Sequence, residues 1–487
     1  MSKFTINKVN IAQIFFLLFL VSLFFSIRYV FPTPEAFKTG AYSDFTSISL
    51  YLSDIFLFIT CLFILLPRGS GHSPRGGLRR LIVNSQLSIV ALLFWLILDL
   101  IWHKNTLSSL NWWFFVKYLE LMVSYGTSCY LFSKTEVKGL FLRIFVIFSS
   151  FESILALWQF IAQKSLGLGK LGEQVLSPTI YGVAKIVSGG TTYIRGYGTF
   201  PHPNLLSAFL VVGVLFSIYL FVSTINNKLK TLYAFAILLN CLGLTVTFSR
   251  AGFLAAGVGL MVFFVYILLW RHPERVPACQ RLSAVMADRH PSEGSLNPRK
   301  DSSAAFRMTP LLVVVFSILI CFIIFRPYLD TRATIMDDAS LQRIFYAKIG
   351  VRMIQQNPIF GVGIGESVLH MQQYSPLKLW PWQIQPIHNY FLLAAAELGI
   401  PGVLIILWIF LSHLRSLILN LSAGGGSAFG GKSQRENLFA LCMLSILISF
   451  LVAMQFDHYF YTLQQTQMLL WVILGIIASE TNKKIPE

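Results

Sequence analysis

The strongest constraint on this chain is a series of long apolar runs that carry almost no charge. Residues 11–27, 205–222 and 311–325 are examples, in a chain that is 55% apolar and only 12% charged. Soluble domains carry about twice that share of charged residues. A run of about 20 apolar residues is long enough to cross a hydrocarbon core as a helix. The sequence therefore predicts an integral membrane protein of the all-α class.

The runs predict about twelve membrane-spanning helices, because a spanning segment must satisfy its backbone hydrogen bonds internally. The expected spans lie near 9–27, 46–66, 81–102, 113–133, 139–162, 203–223, 231–248, 251–270, 309–326, 389–411, 437–456 and 465–480. The predicted regions are spans one to five in 1–162, a loop at 163–202, spans six to nine in 203–326 with a loop at 271–308, a large loop at 327–388, and spans ten to twelve in 389–487.

The placement of Lys and Arg predicts the orientation in the membrane. Arg75, Arg80 and the basic loop 271–308 lie on one predicted side, whereas the short connections 28–45 and 103–112 on the other side carry few basic residues. Cytoplasmic loops carry the excess of Lys and Arg, so both termini are expected inside. The net charge of +17 follows mainly from this bias. Binding to nucleic acid is not expected.

The two long loops on the predicted outer side depart from this charge rule. Lys185 lies in the first and Lys348 in the second. Basic side chains held there suit an anionic headgroup or a diphosphate. Residues 341–356 alternate apolar and basic side chains, which predicts an amphipathic helix that lies on the membrane face and covers a cavity. The G-x-G-x-G run at 361–365 lacks the strand–turn–helix context of a nucleotide site and is interpreted as a flexible turn.

Four stretches, in this order, resemble the bacterial O-antigen ligase and O-antigen polymerase superfamily of membrane glycosyltransferases. Each stretch alone is a weak signal, but their order, spacing and the large loop before the fourth agree with the superfamily. The similarity extends over about 195–410, whereas the first five spans match only in hydropathy. The stretches are 195–204 (RGYGTFPHPN), 247–252 (TFSRAG), 357–365 (NPIFGVGIG) and 388–399 (HNYFLLAAAELG).

The resemblance implies a function and a set of partners. Members transfer a glycan from an undecaprenyl-diphosphate carrier to an acceptor hydroxyl at the periplasmic face of the bacterial inner membrane. The implied fold is a type C glycosyltransferase without metal or cofactor. The implied partners are the carrier-linked donor, lipid A–core or another glycan as acceptor, and membrane lipids.

Ligase activity is favoured, and two alternatives stay open. An O-antigen or exopolysaccharide polymerase, which transfers the glycan to another carrier-linked repeat unit, has the same motifs. A transporter of lipid-linked glycans also has many spans and intramembrane charges. Transporters often show inverted repeats, and no convincing internal repeat is visible in the sequence.

The predicted ligands of the diphosphate are three arginines. Arg195 and Arg250 lie in the first two motifs, and Arg343 lies in the second long loop. An arginine holds such charge with two parallel hydrogen bonds and does not lose its own proton. Each has a competing interpretation. Arg250, at a tight turn between two spans, would snorkel to the interface. Arg195 would be an ordinary loop charge, and Arg343 would only contact lipid headgroups.

His388, at the outer mouth of span ten, is the predicted catalytic base. An imidazole with a pKa of about 6.5 accepts the proton of an attacking sugar hydroxyl. Asn389 would orient the ring or the acceptor. Glu397 would pair with an arginine or hold helices together.

Four further polar residues are weaker candidates. His202 and Asn204 begin span six, either as helix-capping residues or as ligand contacts. Asp457 and His458 occupy the last outer turn, where solvent is expected to reach both.

Overall fold

A computed structural model describes residues 11–31, 33–65, 86–133, 135–269, 302–330, 338–422 and 434–482. Most of the predicted loop 271–308 lies outside these residues, as do Arg75 and Arg80. Within the described residues an α-helix coincides with each predicted span. These helices are α1 (Ile11–Ser22), α2 (Leu52–Leu65), α3 (Gln86–Trp102), α4 (Ser109–Phe132), α5 (Thr135–Ala162), α6 (Pro203–Ser223), α7 (Asn227–Val246), α8 (Arg250–Leu269), α9 (Ser302–Leu329), α12 (Tyr390–Ser422), α13 (Gln434–Ala453) and α15 (Gln464–Asn482).

Three more helices lie in the connections, namely α10 (Asp338–Gln356), α11 (Ser367–Tyr374) and the short α14 (Tyr459–Thr462). In the described part of the chain, seven helices are long and apolar enough to cross a membrane: α5, α6, α7, α8, α9, α12 and α13. Helices α1, α2 and most of α3 are apolar but shorter. The chain is therefore a multi-pass, mostly helical membrane protein, and the full count of twelve spans stays a prediction.

Helix α6 forms the centre of the bundle, since all its residues from Leu205 to Val222 are buried. It packs against α5, α7, α8 and α13. Helices α6, α8 and α12 begin at one end of the bundle, and α13 ends there. We call this the loop end, because the long connections before α6 and α12 lie there.

The protein is mostly helical, as expected of the all-α class, but its first long loop contains an antiparallel hairpin that the sequence did not predict. Strand β3 (Lys185–Ser188) pairs with β4 (Thr191–Ile194). Gly189 and Gly190 join them with φ values of +57° and +78°. Two residues with positive φ form the turn that matches the twist of a hairpin, and Gly-Gly is among the pairs that favour it. Strands of four residues are too short to show a clear alternation.

A second hairpin lies between α1 and α2. Strand β1 (Arg28–Phe31) pairs antiparallel with β2 (Ile48–Tyr51). The predicted span 46–66 therefore becomes helical only at Leu52. Hydropathy alone does not separate an apolar strand from the apolar helix that follows it.

The amphipathic helix predicted in the second long loop is present as α10, and one of its faces is buried. Tyr346, Ile349 and Met353 are buried. These positions share one face because they are spaced by three and four residues. Ile344 and Val351 are apolar residues of the same helix that are exposed. Helix α10 thus has a second apolar surface beside its basic residues, which is typical of helices that lie at a membrane interface.

Candidate functional site

The first two motifs are joined by hydrogen bonds at the loop end. Arg195 Nε donates to Thr247 O at 2.5 Å, and Gly196 N donates to Val246 O at 2.8 Å. A Cβ on Gly196 would lie 2.9 Å from Val246 Cγ2, so a larger residue would push these backbones apart. The loop that carries Arg195 therefore lies on the α7–α8 turn. This turn places Arg250, the first residue of α8, at the same end.

Helix α5 holds the same loop through two buried polar side chains. Glu152 Oε2 accepts a hydrogen bond from Thr199 N at 2.8 Å. Gln159 Oε1 accepts from Tyr197 N at 2.9 Å and from Gly198 N at 2.8 Å. Sequence reasoning missed both residues. The available signal was a polar side chain inside an apolar span, which is costly unless it has a partner.

The third and fourth motifs are joined at a break in α12. Gly399 interrupts the helix with a φ of +71°, and a Cβ there would collide with the backbone of the third motif. The break leaves carbonyl groups without helical partners. Ala396 O accepts from Val362 N at 2.9 Å, and Glu397 O accepts from Gly363 N at 3.1 Å. The glycine run is therefore held against α12, and the expectation of a flexible turn is wrong.

The Glu397 side chain strengthens this junction. Its buried carboxylate accepts hydrogen bonds from Gly365 N at 2.8 Å and from Ser367 Oγ at 2.6 Å. Of the two predicted roles, these contacts correspond to holding elements together. The carboxylate fixes the segment that precedes α11 onto the first turns of α12.

The turn between α13 and α14 links the two pairs of motifs. Asn204 Oδ1 accepts from Arg195 Nη2 at 2.6 Å, and Asn204 Nδ2 donates to Asp457 Oδ2 at 2.8 Å. From the other pair, Asn389 Nδ2 donates to Gln455 O at 3.0 Å. All four motifs are thus connected around one turn, which none of them contains.

Three histidines meet beside this turn, and we call them the histidine cluster: His202, His388 and His458. The ring centroids of His388 and His458 lie 4.9 Å apart. Tyr346 of α10 stacks on His388, with centroids 5.6 Å apart and an angle of 11° between the rings. Tyr459 contacts both His202 and His458. Tyr346 was not predicted as a site residue, since an aromatic residue on an amphipathic helix usually indicates packing.

The expectation that solvent reaches Asp457 and His458 is wrong. They are only 4% and 2% exposed. Phe45, from the connection between β1 and β2, packs its ring edge-on against His458 at 5.3 Å. His458 Nδ1 also lies 2.7 Å from Thr462 Oγ1 in α14. This turn is part of the interior because the long loops fold over it.

Two of the predicted residues cap helices. His202 Nδ1 accepts a hydrogen bond from Asn204 N at 3.2 Å at the start of α6. An imidazole that accepts at Nδ1 carries its proton on Nε2 when the ring is neutral. Asn389 Oδ1 accepts from Leu392 N at 2.9 Å and so satisfies a free donor at the start of α12.

Burial determines the protonation of the cluster. Burial and, to a smaller extent, the positive charge of Arg343 together lower the pKa of His388 to about 4. Burial also lowers the pKa of each of the other two members. It raises the pKa of Asp457 to about 6, against the opposing effect of Arg343. The expected His388 pKa of about 6.5 therefore needs correction, and the ring is neutral at neutral pH.

His388 and Arg343 both line an open groove of about 610 Å³ at the loop end, which we call the open groove. Asn389 and Gln455 add polar groups, and the remaining wall is apolar, including Phe391. The structure thus places the predicted base and one predicted diphosphate ligand in one cavity.

Arg250 lies elsewhere. Its neighbours Ser249 and Ala251 line a separate cavity of about 20 Å³, together with Asn204 and Asp457. Arg195 lies between these regions, because it binds Asn204 and its charge lowers the pKa of His202 in addition to the effect of burial.

A comparison with known families agrees with the motifs. Residues 233–407 match a family model described as O-antigen ligase. The match begins in α7 and ends in α12, so it contains Arg250, Arg343, His388 and three of the four motifs. It confirms the resemblance to the O-antigen ligase and polymerase superfamily and indicates a membrane glycosyltransferase-type enzyme. No curated protein matches the chain.

Proposed function

We propose that the chain is an O-antigen ligase that transfers a glycan from undecaprenyl diphosphate to a sugar hydroxyl of lipid A–core. The reaction takes place at the periplasmic face of the bacterial inner membrane, with both termini in the cytoplasm. The observation that carries this proposal is the meeting of His388 and Arg343 in the open groove. Such a transfer requires one group that accepts a proton and one that stabilises a departing diphosphate. The apolar wall of the groove suits the polyprenyl chain of the donor.

The two residues act on opposite sides of the reacting sugar. The acceptor hydroxyl gives its proton to the neutral imidazole of His388, and its oxygen forms a bond with the anomeric carbon. The bond from that carbon to the diphosphate oxygen breaks, and its electron pair stays on the carrier diphosphate. The guanidinium of Arg343 stabilises the developing charge, because its planar fork matches phosphate oxygens and stays charged.

Donor binding strengthens the base. A pKa of about 4 makes His388 a weak proton acceptor in the free protein. A bound diphosphate places negative charge beside the ring and balances the charge of Arg343. Negative charge favours the protonated imidazole, so the pKa of His388 rises in the donor complex. The base is therefore strongest when the donor is in place.

The other predicted site residues have supporting roles in this proposal. Arg195 holds its loop and supplies positive charge behind the histidine cluster, and Arg250 supplies charge at the adjacent turn. Both remain candidates for contact with the diphosphate or the glycan. Capping or tethering contacts support the groove at His202, Asn204, Asn389 and Glu397.

An assay with two acceptors tests the proposal. Purified protein in liposomes receives undecaprenyl-diphosphate-linked glycan with either lipid A–core or a second carrier-linked glycan, and mass spectrometry identifies the product. We expect glycan on lipid A–core and the same rate with EDTA. The His388→Ala variant loses this product, whereas His370→Ala, a half-exposed histidine of α11, retains it.

The other outcomes identify the alternatives. A longer carrier-linked glycan would assign the protein as a polymerase. Movement of the donor across the membrane without any product would assign it as a transporter and refute the enzyme. Reporter fusions within 338–378 are expected to report a periplasmic location, and a cytoplasmic signal would contradict the placement of the groove.

A further inference from the structure

Two pairs of exposed aromatic residues lie at the loop end. Trp380 and Trp382 are 60% and 55% exposed, and their rings stack with centroids 5.2 Å apart and an angle of 6°. Phe37 and Tyr42 are also exposed, with centroids 5.7 Å apart. Large apolar side chains that cluster on a surface usually mark a site of contact.

The two pairs form one surface, because the loops that carry them touch. Gly40 lies between Phe37 and Tyr42, and a Cβ on it would be 3.2 Å from Pro381 Cγ. Pro381 lies between the two tryptophans in the 3₁₀ turn Pro381–Gln383. We call the four aromatic residues the aromatic platform.

Each half of the platform is attached to one member of the histidine cluster. Tyr346, which stacks on His388, donates its hydroxyl hydrogen to Gln383 O at 2.7 Å, one residue after Trp382. On the other side, the loop with Phe37 and Tyr42 continues to Phe45, which packs on His458. The aromatic platform is therefore connected to the histidine cluster through Tyr346 on one side and Phe45 on the other.

The platform is also held in shape before any ligand binds. Tyr42 donates its hydroxyl hydrogen to Asp44 Oδ1 at 2.7 Å, and Arg28 pairs with the same oxygen at 2.7 Å. Gln383 Oε1 accepts from Trp380 N at 2.9 Å and fixes the turn between the tryptophans. A surface that is already ordered loses little conformational freedom on binding.

We propose that the aromatic platform binds the saccharide chain of the acceptor. This inference rests on the proposed function, because it places the reacting hydroxyl of that chain at His388. Aromatic rings offer a large, rigid apolar surface, onto which the C–H faces of sugar rings pack. Gln373 and Lys378, which precede the tryptophans in the chain, are exposed and carry amide and ammonium groups that can bind sugar hydroxyls.

The competing occupant of this surface is the membrane interface. Trp and Tyr are enriched where a membrane meets water, and the exposed Leu377 lies close to the tryptophans in sequence. The direct attachment to the histidine cluster favours the saccharide, because a lipid surface does not require it.

Binding without a donor tests the platform directly. The probe is delipidated core oligosaccharide, titrated into the purified full-length protein. Trp380→Ala and Trp382→Ala are expected to weaken its Kd about tenfold, or about 1.4 kcal/mol, and to raise the acceptor KM equally. The donor KM and kcat stay near the wild-type values. Phe at either position preserves the aromatic face and restores most of the affinity.

The matched control is Trp112→Ala, since Trp112 is an exposed tryptophan on α4 outside the platform. It is expected to leave oligosaccharide binding unchanged. Unchanged Kd and acceptor KM in both platform variants would overturn the inference, and quenching of Trp380 and Trp382 by brominated lipids would then assign the surface to the membrane. If the wild type binds the oligosaccharide through these tryptophans but transfers nothing, the platform stands and the proposed transfer fails.

Discussion

Two parts of the same site differ in how their charged groups are held. In the buried arm, which is Arg195, Asn204 and Asp457, each side chain is hydrogen-bonded to the next at 2.6 and 2.8 Å. Its two ionisable members are almost inaccessible, at 7% and 4% exposure. In the open arm, which is His388 and Arg343, the side chains line a groove of about 610 Å³. The buried arm adjoins the histidine cluster, and the open arm contains one of its members, His388.

The difference separates side chains that hold the structure together from side chains that can act on a bound donor. Side chains of the buried arm already bind protein partners, so their removal leaves buried polar groups unsatisfied at a cost of about 1–3 kcal/mol each. Side chains of the open arm face a space that a donor can occupy. Substitutions in the open arm should therefore change binding or turnover, whereas those in the buried arm should first change stability.

The largest expected effect is on turnover in the open arm. His388→Ala should lower kcat by about 10²–10⁴-fold, because the reaction loses its proton acceptor. Donor binding should remain near the wild-type value, since a neutral ring contributes little to holding a diphosphate. Steady-state rates and a separate donor-binding assay measure the two quantities, with His370→Ala as control. Lost donor binding would instead place His388 among the diphosphate ligands.

Substitution of Arg343 should weaken the binding of the donor. Arg343→Ala should raise the donor KM about 10- to 100-fold, consistent with about 1.5–3 kcal/mol for a hydrogen bond to a charged group. Arg343→Lys should recover only part of this loss, because Lys lacks the planar fork. Arg352→Ala is the matched control, since Arg352 is an exposed arginine further along α10 that donates to Tyr374 O. An equal rise in the donor KM of both alanine variants would indicate that Arg343 acts only as a general surface charge.

Substitutions in the buried arm should lower the stability of the folded protein. Asn204→Ala removes the amide between Arg195 and Asp457, so the thermal unfolding midpoint should fall measurably while turnover per folded molecule falls less than in His388→Ala. Arg343→Ala should keep the wild-type midpoint. Calorimetry or intrinsic fluorescence in detergent measures both proteins. A normal midpoint in Asn204→Ala together with lost donor binding would move this arm into the binding site.

The smallest effect is expected from pH. The His388 pKa of about 4 means that the ring is neutral from pH 8 down to about pH 5. The contribution of His388 to the pH profile of kcat/KM, which reports the free enzyme, should stay flat there and fall only as pH drops through about 4. The profile of kcat should fall at a higher pH, because the bound diphosphate raises the pKa. Coinciding profiles with a midpoint near 6.5 would contradict the burial of His388.

Sequence reasoning located the helices and the motifs but not their partners. Hydropathy predicts helices because it depends on each segment alone, so every expected span coincides with a helix in the described residues. The bond from Arg195 to Thr247 and the bond from Val362 to Ala396 join distant segments. No local pattern predicts which motif contacts which.

The candidate site shows the same limit. His388 and Arg343 were found through the family motif and the charge of the second loop, respectively. Asp457 and His458 looked solvated because a turn between two spans is usually exposed, yet Phe45 covers His458. Tyr346 was missed because its role depends on the ring that stacks on it.

The most direct test is a structure of the protein with bound undecaprenyl-diphosphate-linked glycan. The diphosphate is predicted to lie in the open groove, about 3 Å from the guanidinium of Arg343, with the first sugar beside His388. The chain has a competing candidate site for the diphosphate. This is a polar cavity of about 380 Å³ at the opposite end of the bundle, lined by Lys138, Arg143 and Arg435. A diphosphate in that cavity, or against Arg195 with the open groove unfilled, would contradict the division between the two arms.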